Sequence, residues 1–351
     1  MKTYPRNQIK DTRRMLKKIL GFFTHLINMV SGAICYVIFL PSAMKNFVRW
    51  VETFFHNQNR KFKNLTETNL ELGKYHLYSG NIRDAIIRFR ILKWLFDKKN
   101  PEIDYWLGWG YFLNGQYEEA LSHLKNAKEF DVDGLSDFIK NYTTCDEVPT
   151  KIWNRIQEIA LTHQDYKYYL NDVYNKPIDI PKEFIALFLN AIPELKEKAQ
   201  ILDFGCRTGI IGSMLDYQTN ASYHITAVDE IEAFTDYVGK IRGERGYIYD
   251  KTLLHSLHNA DGIFKKDMYD AVCVFDSIGF TKNLSYYFQK IHDSLKDNGS
   301  FALMLQLGNN TEWNIEKKTF IYENAFIEKH LSLAQFNIMA IKEWKLSLIH
   351  I

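Results

Sequence analysis

Residues 199–215 read AQILDFGCRTGIIGSML and combine an apolar run, a loop with two glycines and an apolar helix start. The run 199–203 predicts a short buried strand, and the apolar residues from Ile210 predict a helix. Gly205 and Gly209 permit the tight backbone turn between them and the close approach of a ligand. A strand, a loop and a helix in this order are typical of a parallel α/β sheet.

Two further predicted strands end in an acid, as the first one does. Residues 223–228 run into Asp229, and residues 269–275 run into Asp276. Ligands of such sheets bind outside the carboxyl ends of the strands, so these acids and the glycine loop are expected at one edge. An acid after the second strand can accept hydrogen bonds from a ribose diol. Downstream, the sequence predicts a helix over 284–295, a turn at 298–299 and a strand over 300–305.

The sequence ILDFGCRTGIIG, residues 201–212, resembles the first motif of class I S-adenosylmethionine-dependent methyltransferases, commonly LDLGCGTG. The resemblance covers residues 165–345 and includes the fourth motif at 270–276. The segments 160–188 and 320–331 are similar to those of the tetratricopeptide-linked bacterial members. The resemblance implies a Rossmann-like, mainly parallel seven-stranded sheet with S-adenosylmethionine as its ligand.

The resemblance also assigns site residues. Its cofactor-binding set comprises Asp203, Gly205, Cys206, Arg207 and Gly209 of the loop, Asp229 as the ribose-binding acid, and His255 near the adenine. Asp276 is the candidate catalytic residue, in contact with the acceptor or the cofactor amine, and the alternative is a strand-end or helix cap. Methyl transfer is an in-line displacement that needs donor and acceptor held together, and a base only if the acceptor must lose a proton. No metal site is predicted.

Two departures from the family pattern matter. Arg207 stands at the usual middle glycine, where its side chain would point away, fill part of the methionine pocket, or contact the cofactor carboxylate. The acid usual beside the adenine is replaced by His255 or Ser256, and the loss of one polar contact would cost about 1–3 kcal/mol. Both departures favour the alternative function, a catalytically degenerate scaffold that recruits a partner through its helical repeats.

A repeat with a step of 35 residues precedes the α/β segment. Leu72, Gly73, Gly80, Ala85 and Phe89 recur as Leu107, Gly108, Gly115, Ala120 and Leu124. The step is close to the period of about 34 residues in tetratricopeptide repeats. We therefore predict an all-α tetratricopeptide-type domain over 64–163 before an α/β domain over 164–351. It provides either a groove for a protein partner or a spacer that packs on the next domain.

The N-terminal segment, residues 1–63, is strongly basic, with twelve Lys and Arg against two acids, a net charge of +10. Residues 19–44 contain no charged side chain, which predicts a hydrophobic helix that spans the membrane or lies on anionic lipid. The alternative is a helix packed on the helical domain. Because S-adenosylmethionine is a cytosolic metabolite, we expect the protein at the cytoplasmic side of a membrane.

Two other function classes fit the sequence poorly. The chain as a whole carries +2, so residues 64–351 carry −8, whereas nucleic-acid backbones need a basic surface. Gly205 and Gly209 are spaced by four residues and do not form the dinucleotide-binding fingerprint, which disfavours a nicotinamide enzyme. No nucleic-acid partner is therefore predicted, and the oligomeric state stays open.

Overall fold

The computed structural model of the protein describes residues 65–95, 99–161, 179–192, 197–219, 223–243 and 246–342. The predicted N-terminal hydrophobic helix and membrane segment, residues 1–63, lie outside the described residues. Within these ranges, no helix has the length and apolar character needed to cross a membrane.

The chain divides into two compact units between Phe130 and Asp131. The first unit holds the described residues up to Phe130 apart from 78–80, and the second holds 78–80 and the residues from Asp131 onward. The boundary predicted from sequence lies between residues 163 and 164. The structure therefore groups 131–161 with the α/β sheet and not with the helical repeats.

The described part of the first unit consists of four helices: α1 (Leu65–Tyr78), α2 (Ile82–Leu95), α3 (Pro101–Leu113) and α4 (Tyr117–Leu124). Helix α3 begins at Pro101 because the side chain of Asn100 accepts a hydrogen bond of 3.0 Å from the N–H of Glu102. Proline is favoured at this first helical position because its missing N–H would have no partner there.

Each of the two helix pairs contains an equivalent close contact, and the two contacts are separated by the 35-residue step of the sequence repeat. A Cβ on Gly73 would lie 2.2 Å from the Phe89 ring, and a Cβ on Gly108 would lie 2.6 Å from the Leu124 side chain. Only glycine allows the helices to cross this closely. The sequence repeat thus corresponds to a repeated packing contact, and its assignment to the tetratricopeptide class stays a prediction.

The second unit contains the α/β sheet and the helices around it. Its helices are α5 (Leu135–Asn141), α6 (Thr150–Ile156), which continues as a π-helix (Gln157–Leu161), α7 (Asp179–Ala191), α8 (Ile210–Gln218), α9 (Glu232–Val238), α10 (Leu284–Ser294) and α11 (Asn324–Leu333). Its strands are β1 (Gln200–Phe204), β2 (His224–Asp229), β3 (Arg242–Gly243), β4 (Gly246–Tyr247), β5 (Lys251–Leu254), β6 (Tyr269–Phe275), β7 (Leu295–Met304), β8 (Glu312–Asn314) and β9 (Thr319–Ile321).

Five strands form the main sheet in the described residues, in the order β5-β2-β1-β6-β7, and every pairing is parallel. Strands β3–β4 and β8–β9 pair separately and antiparallel. The α/β prediction is confirmed, and in the part of the chain that the structure describes this sheet has five strands, whereas the resemblance implied seven. Strand β1 is central, and Ile201, Leu202 and Phe204 are fully buried, as a strand covered on both faces requires.

The order of the strands creates one crevice at the carboxyl edge. From β1 the chain moves through α8 to β2 on one side, and from β6 it moves through α10 to β7 on the other. The direction of the connections therefore reverses between the neighbouring strands β1 and β6. Ligands of open α/β sheets bind outside the carboxyl ends of the strands at such a switch point.

Candidate active site

The glycine loop leaves the carboxyl end of β1 and is fastened to the end of β2. The N–H groups of Gly205 and Cys206 both donate to the carbonyl of Val228, at 2.9 and 3.0 Å. Gly205 has φ +77° and Gly209 has φ +75°, the left-handed region in which glycine avoids the strain of a side chain. The predicted tight turn is therefore present.

Gly205 makes its close approach to a neighbouring strand end of the protein itself. A Cβ on Gly205 would lie 2.2 Å from the Cβ of Ser277, which is fully buried just after β6. The Ser277 hydroxyl donates a hydrogen bond of 2.5 Å to the carbonyl of Phe204. The ends of β1 and β6 are thus in direct contact beneath the crevice.

Cys206 of the loop and Asp203, the first of the strand-end acids, make contacts inside the fold. The Cys206 side chain is buried, and burial raises the pKa of its thiol well above the usual value. The Asp203 Oδ2 atom accepts a hydrogen bond of 2.7 Å from the hydroxyl of Tyr249. That hydroxyl also accepts a 2.9 Å bond from the N–H of Gly212, so Asp203 links β1 to the first turn of α8.

Asp229 lies at the carboxyl end of β2, where the sequence places the ribose-binding acid. Its Oδ2 accepts a bond of 2.9 Å from the N–H of Arg207, and its Oδ1 accepts one of 3.0 Å from the N–H of Ile231. Burial raises the pKa of this carboxyl to about 6, while the two N–H donors oppose the shift. The carboxyl group of Asp229 therefore orients both the glycine loop and Ile231, the second residue after β2.

Arg207 is buried, with 3% of its surface exposed, although it stands where the family motif has a glycine. Its φ of +43° lies in the left-handed region, which disfavours side chains. The Nη2 atom donates to the carbonyl of Phe275, the last residue of β6, at 3.2 Å. Of the three orientations that the sequence allowed, the one pointing away into solvent is wrong.

Asp276 follows β6 directly and is buried with φ +53°. Its Oδ2 accepts a bond of 2.9 Å from Nε2 of Gln306, whose Oε1 accepts one of 2.9 Å from Nζ of Lys317. The helix-cap alternative is wrong, because the cap of α10 is Asn283, whose side chain accepts from the N–H of Tyr286 at 3.4 Å. The amide and the lysine were missed in the sequence because they lie 30 and 41 residues downstream, with no motif that pairs them with the acid.

His255 lies beside the ribose-binding candidate, since its N–H donates to the carbonyl of Asp229 at 2.9 Å. A carboxyl group that contacts the loop after β5 belongs to Glu230, the residue that follows β2, and its side chain is buried. Its Oε2 accepts from the Ser256 hydroxyl and the Leu257 N–H, both at 3.2 Å, and lies 3.3 Å from Nδ1 of His258. Glu230 was missed because only the strand-end acid itself belongs to the motif.

Residues 131–161 contribute to the same region of the second unit. The Nε2 atom of His258 lies 2.9 Å from the carbonyl of Val148, and its ring stacks on Phe280 at a centroid distance of 4.0 Å. The N–H of Val148 donates to the carbonyl of Phe280 at 2.7 Å. No group of three or more His, Cys, Asp or Glu side chains that could hold a metal ion occurs in the described ranges.

The structure therefore brings the predicted site residues to one edge of the sheet. Asp203, the glycine loop, Asp229 and Asp276 lie at the carboxyl ends of β1, β2 and β6, and His255 lies next to Asp229. Within this set, Asp203 and Cys206 are engaged in packing, whereas Asp229, Arg207 and Asp276 surround the crevice.

Residues 178–342 match the family model described as a methyltransferase domain. No curated protein matches the chain.

Three solved structures are similar to parts of the chain. A SAM-dependent methyltransferase from Leishmania major is 13% identical over 56% of this chain and 86% of its own, with a TM-score of 0.41. Another from Methanosarcina mazei is 13% identical over 43% and 84%, with a TM-score of 0.33. A third from Archaeoglobus fulgidus is 13% identical over 49% and 75%, with a TM-score of 0.35.

The family match and the motif at the end of β1 concern the same domain. The match of residues 178–342 to a methyltransferase domain supports the predicted enzyme class. It also supports S-adenosylmethionine, the cofactor predicted with that class.

Proposed function

We propose that the protein transfers the methyl group of S-adenosylmethionine to its acceptor at the carboxyl ends of β1, β2 and β6. The observation that carries the proposal is the convergence of the glycine loop, Asp229 and Asp276 around the switch point of the sheet. Asp229 would accept hydrogen bonds from the ribose hydroxyls. The glycine loop allows the cofactor to approach the backbone.

In methyl transfer, the main task of the protein's side chains is to position the two reactants. A nucleophile of the acceptor bonds to the methyl carbon while the bond from carbon to sulfur breaks, and its electron pair stays on the sulfur of S-adenosylhomocysteine. Holding the two reactants in line supplies most of the acceleration. Asp276 would take the acceptor proton where one must leave. Gln306 orients it, because its Oε1 faces Lys317 and its Nε2 therefore donates to the Asp276 carboxylate.

Isothermal titration of the full-length protein with S-adenosylhomocysteine tests the cofactor site. We expect saturable binding of one ligand per chain, and no binding of nicotinamide adenine dinucleotide under the same conditions. A folded protein that binds neither S-adenosylhomocysteine nor S-adenosylmethionine would contradict the proposal.

The pKa of Asp229 predicts how cofactor binding depends on pH. Ribose hydroxyl groups donate to the ionised carboxylate, so binding should lower the pKa of Asp229 below its value of about 6 in the free protein. The affinity for S-adenosylhomocysteine should therefore be constant above about pH 7 and fall below pH 6, approaching about tenfold per pH unit. Titrations between pH 5 and pH 8 measure this pH dependence of the affinity. The variant Asp229→Asn should lack the part of the pH dependence that arises from ionisation of Asp229.

The other parts of the chain suggest where the enzyme works. We propose that the helical unit recruits a protein partner and that residues 1–63 attach the protein to the cytoplasmic side of an anionic membrane. The net charge of +10 and the uncharged run 19–44 support the attachment. Co-sedimentation with phosphatidylserine vesicles should exceed that with neutral vesicles and should be lost on deletion of 1–63. Equal sedimentation of the two proteins would contradict the attachment.

One observation favours a second candidate function, a scaffold that has lost methyl transfer. The buried side chain of Arg207 reaches from the loop after β1 to the end of β6, across the switch point where the cofactor would bind. A protein of this kind would fold normally and bind no adenosyl ligand. The titration above separates the two functions, since only the methyltransferase gives saturable binding.

A further inference from the structure

Arg207 connects the ends of the three strands that surround the crevice. It belongs to the loop after β1, its N–H donates to Asp229 at the end of β2, and its Nη2 donates to the carbonyl of Phe275 at the end of β6. The side chain therefore crosses the switch point of the sheet. The left-handed backbone of Arg207 holds it there at some cost in strain, since φ is +43°.

The β6 side of the crevice presents acceptors that attract a cation. Its last carbonyl, that of Phe275, accepts from the guanidinium, and the next residue is the buried acid Asp276. If Asp229 binds the ribose, the carbonyl of Phe275 and the carboxyl of Asp276 would be available to hold the amino-acid end of the cofactor. Strand ends two positions apart in a sheet are separated by about 10 Å, a distance that such a cofactor covers.

We propose that the guanidinium of Arg207 is a displaceable occupant of the site that receives the cofactor's ammonium group. This inference rests on the proposed cofactor site. Both groups are cations that donate hydrogen bonds, so they compete for the carbonyl of Phe275 and repel one another at low local dielectric. Cofactor binding thus requires Arg207 to leave Phe275, and Arg207 sets the affinity of the enzyme for ligands that carry the amino-acid end.

A series of three ligands isolates the effect. 5′-Methylthioadenosine has the nucleoside but no amino-acid end, S-adenosylhomocysteine adds an ammonium and a carboxylate, and S-adenosylmethionine adds a sulfonium charge. We expect Arg207→Ala to tighten S-adenosylhomocysteine about tenfold and S-adenosylmethionine at least as much, with methylthioadenosine changed by less than about twofold. Arg207→Met, which keeps the aliphatic bulk without the donors, should act in the same direction and serves if the alanine variant fails to fold.

Arg242→Ala is the matched control, because it removes one positive charge from an exposed side chain that bonds to Tyr247 outside the crevice. It should leave all three affinities unchanged. Weaker binding of S-adenosylhomocysteine by the Arg207 variants would overturn the proposal and assign Arg207 to the cofactor carboxylate. Unchanged binding, with methylthioadenosine still bound, would also overturn it but leave the cofactor site intact. Failure of every protein to bind any of the three ligands would overturn both.

Discussion

Replacement of Gly205 by alanine is expected to lower the free energy of unfolding of the sheet unit by about 2–5 kcal/mol. The left-handed backbone costs a side chain about 1–2 kcal/mol, and overpacking costs about 1–3 kcal/mol more. The overpacking is severe because the new Cβ would lie 2.2 Å from the Cβ of Ser277, which is itself held by the carbonyl of Phe204. Urea denaturation followed by circular dichroism measures the difference.

Gly134→Ala is the matched control for this substitution. Gly134 has φ +78°, almost the same as Gly205, but no atom lies within 4 Å of a Cβ built on it. Its replacement should therefore show the backbone cost alone, about 1–2 kcal/mol. The double variant Gly205→Ala, Ser277→Gly should recover part of the loss. Equal destabilisation by the two single alanine substitutions would show that the contact between the ends of β1 and β6 is unimportant.

Replacement of Asp229 by alanine is expected to weaken the binding of S-adenosylhomocysteine by about 1–3 kcal/mol, or up to about a hundredfold. The variant loses the charge-assisted hydrogen bonds to the ribose hydroxyls. It also frees the N–H groups of Arg207 and Ile231, which this carboxyl orients in the wild-type protein. Isothermal titration of the two proteins at pH 7.5 gives the affinities.

Asp236→Ala is the control for the loss of one negative charge close to the site. Asp236 is an exposed acid on α9, seven residues after Asp229. Its affinity for S-adenosylhomocysteine should equal that of the wild type. If Asp229→Ala folds and binds as tightly as Asp236→Ala, Asp229 is not part of the cofactor site.

The strand-end residues were predictable because each follows an apolar run. The run 269–275 predicted β6 with the bounds that the structure has. The strands β1 and β2 end at Phe204 and Asp229, each one residue beyond the end predicted from the sequence. Burial of a central strand on both faces produces such runs in the sequence. The sequence repeat also indicated where the helix pairs of the first unit are in contact. Gly73 and Gly108 are 35 residues apart, and so are the side chains that they contact, Phe89 and Leu124.

The contacts that complete the site depend on residues far apart in the chain. Glu230 meets His258 across 28 residues, and Asp276 meets Gln306 across 30, so no local period or motif signals either pair. The orientation of Arg207 was also open, because its burial depends on where β6 ends relative to β1. The predicted division at residue 163 stays a prediction, and the contacts of residues 131–161 group them with the sheet.

Hydrogen–deuterium exchange of the full-length protein with and without S-adenosylhomocysteine tests the central claim most directly, because it locates the ligand on the sheet. We expect slower exchange in residues 204–209, 229–231 and 275–277, at the ends of β1, β2 and β6, and unchanged exchange in the helices of residues 101–124. Protection confined to other parts of the chain, or no protection at saturating ligand, would contradict a cofactor site at the carboxyl ends of β1, β2 and β6.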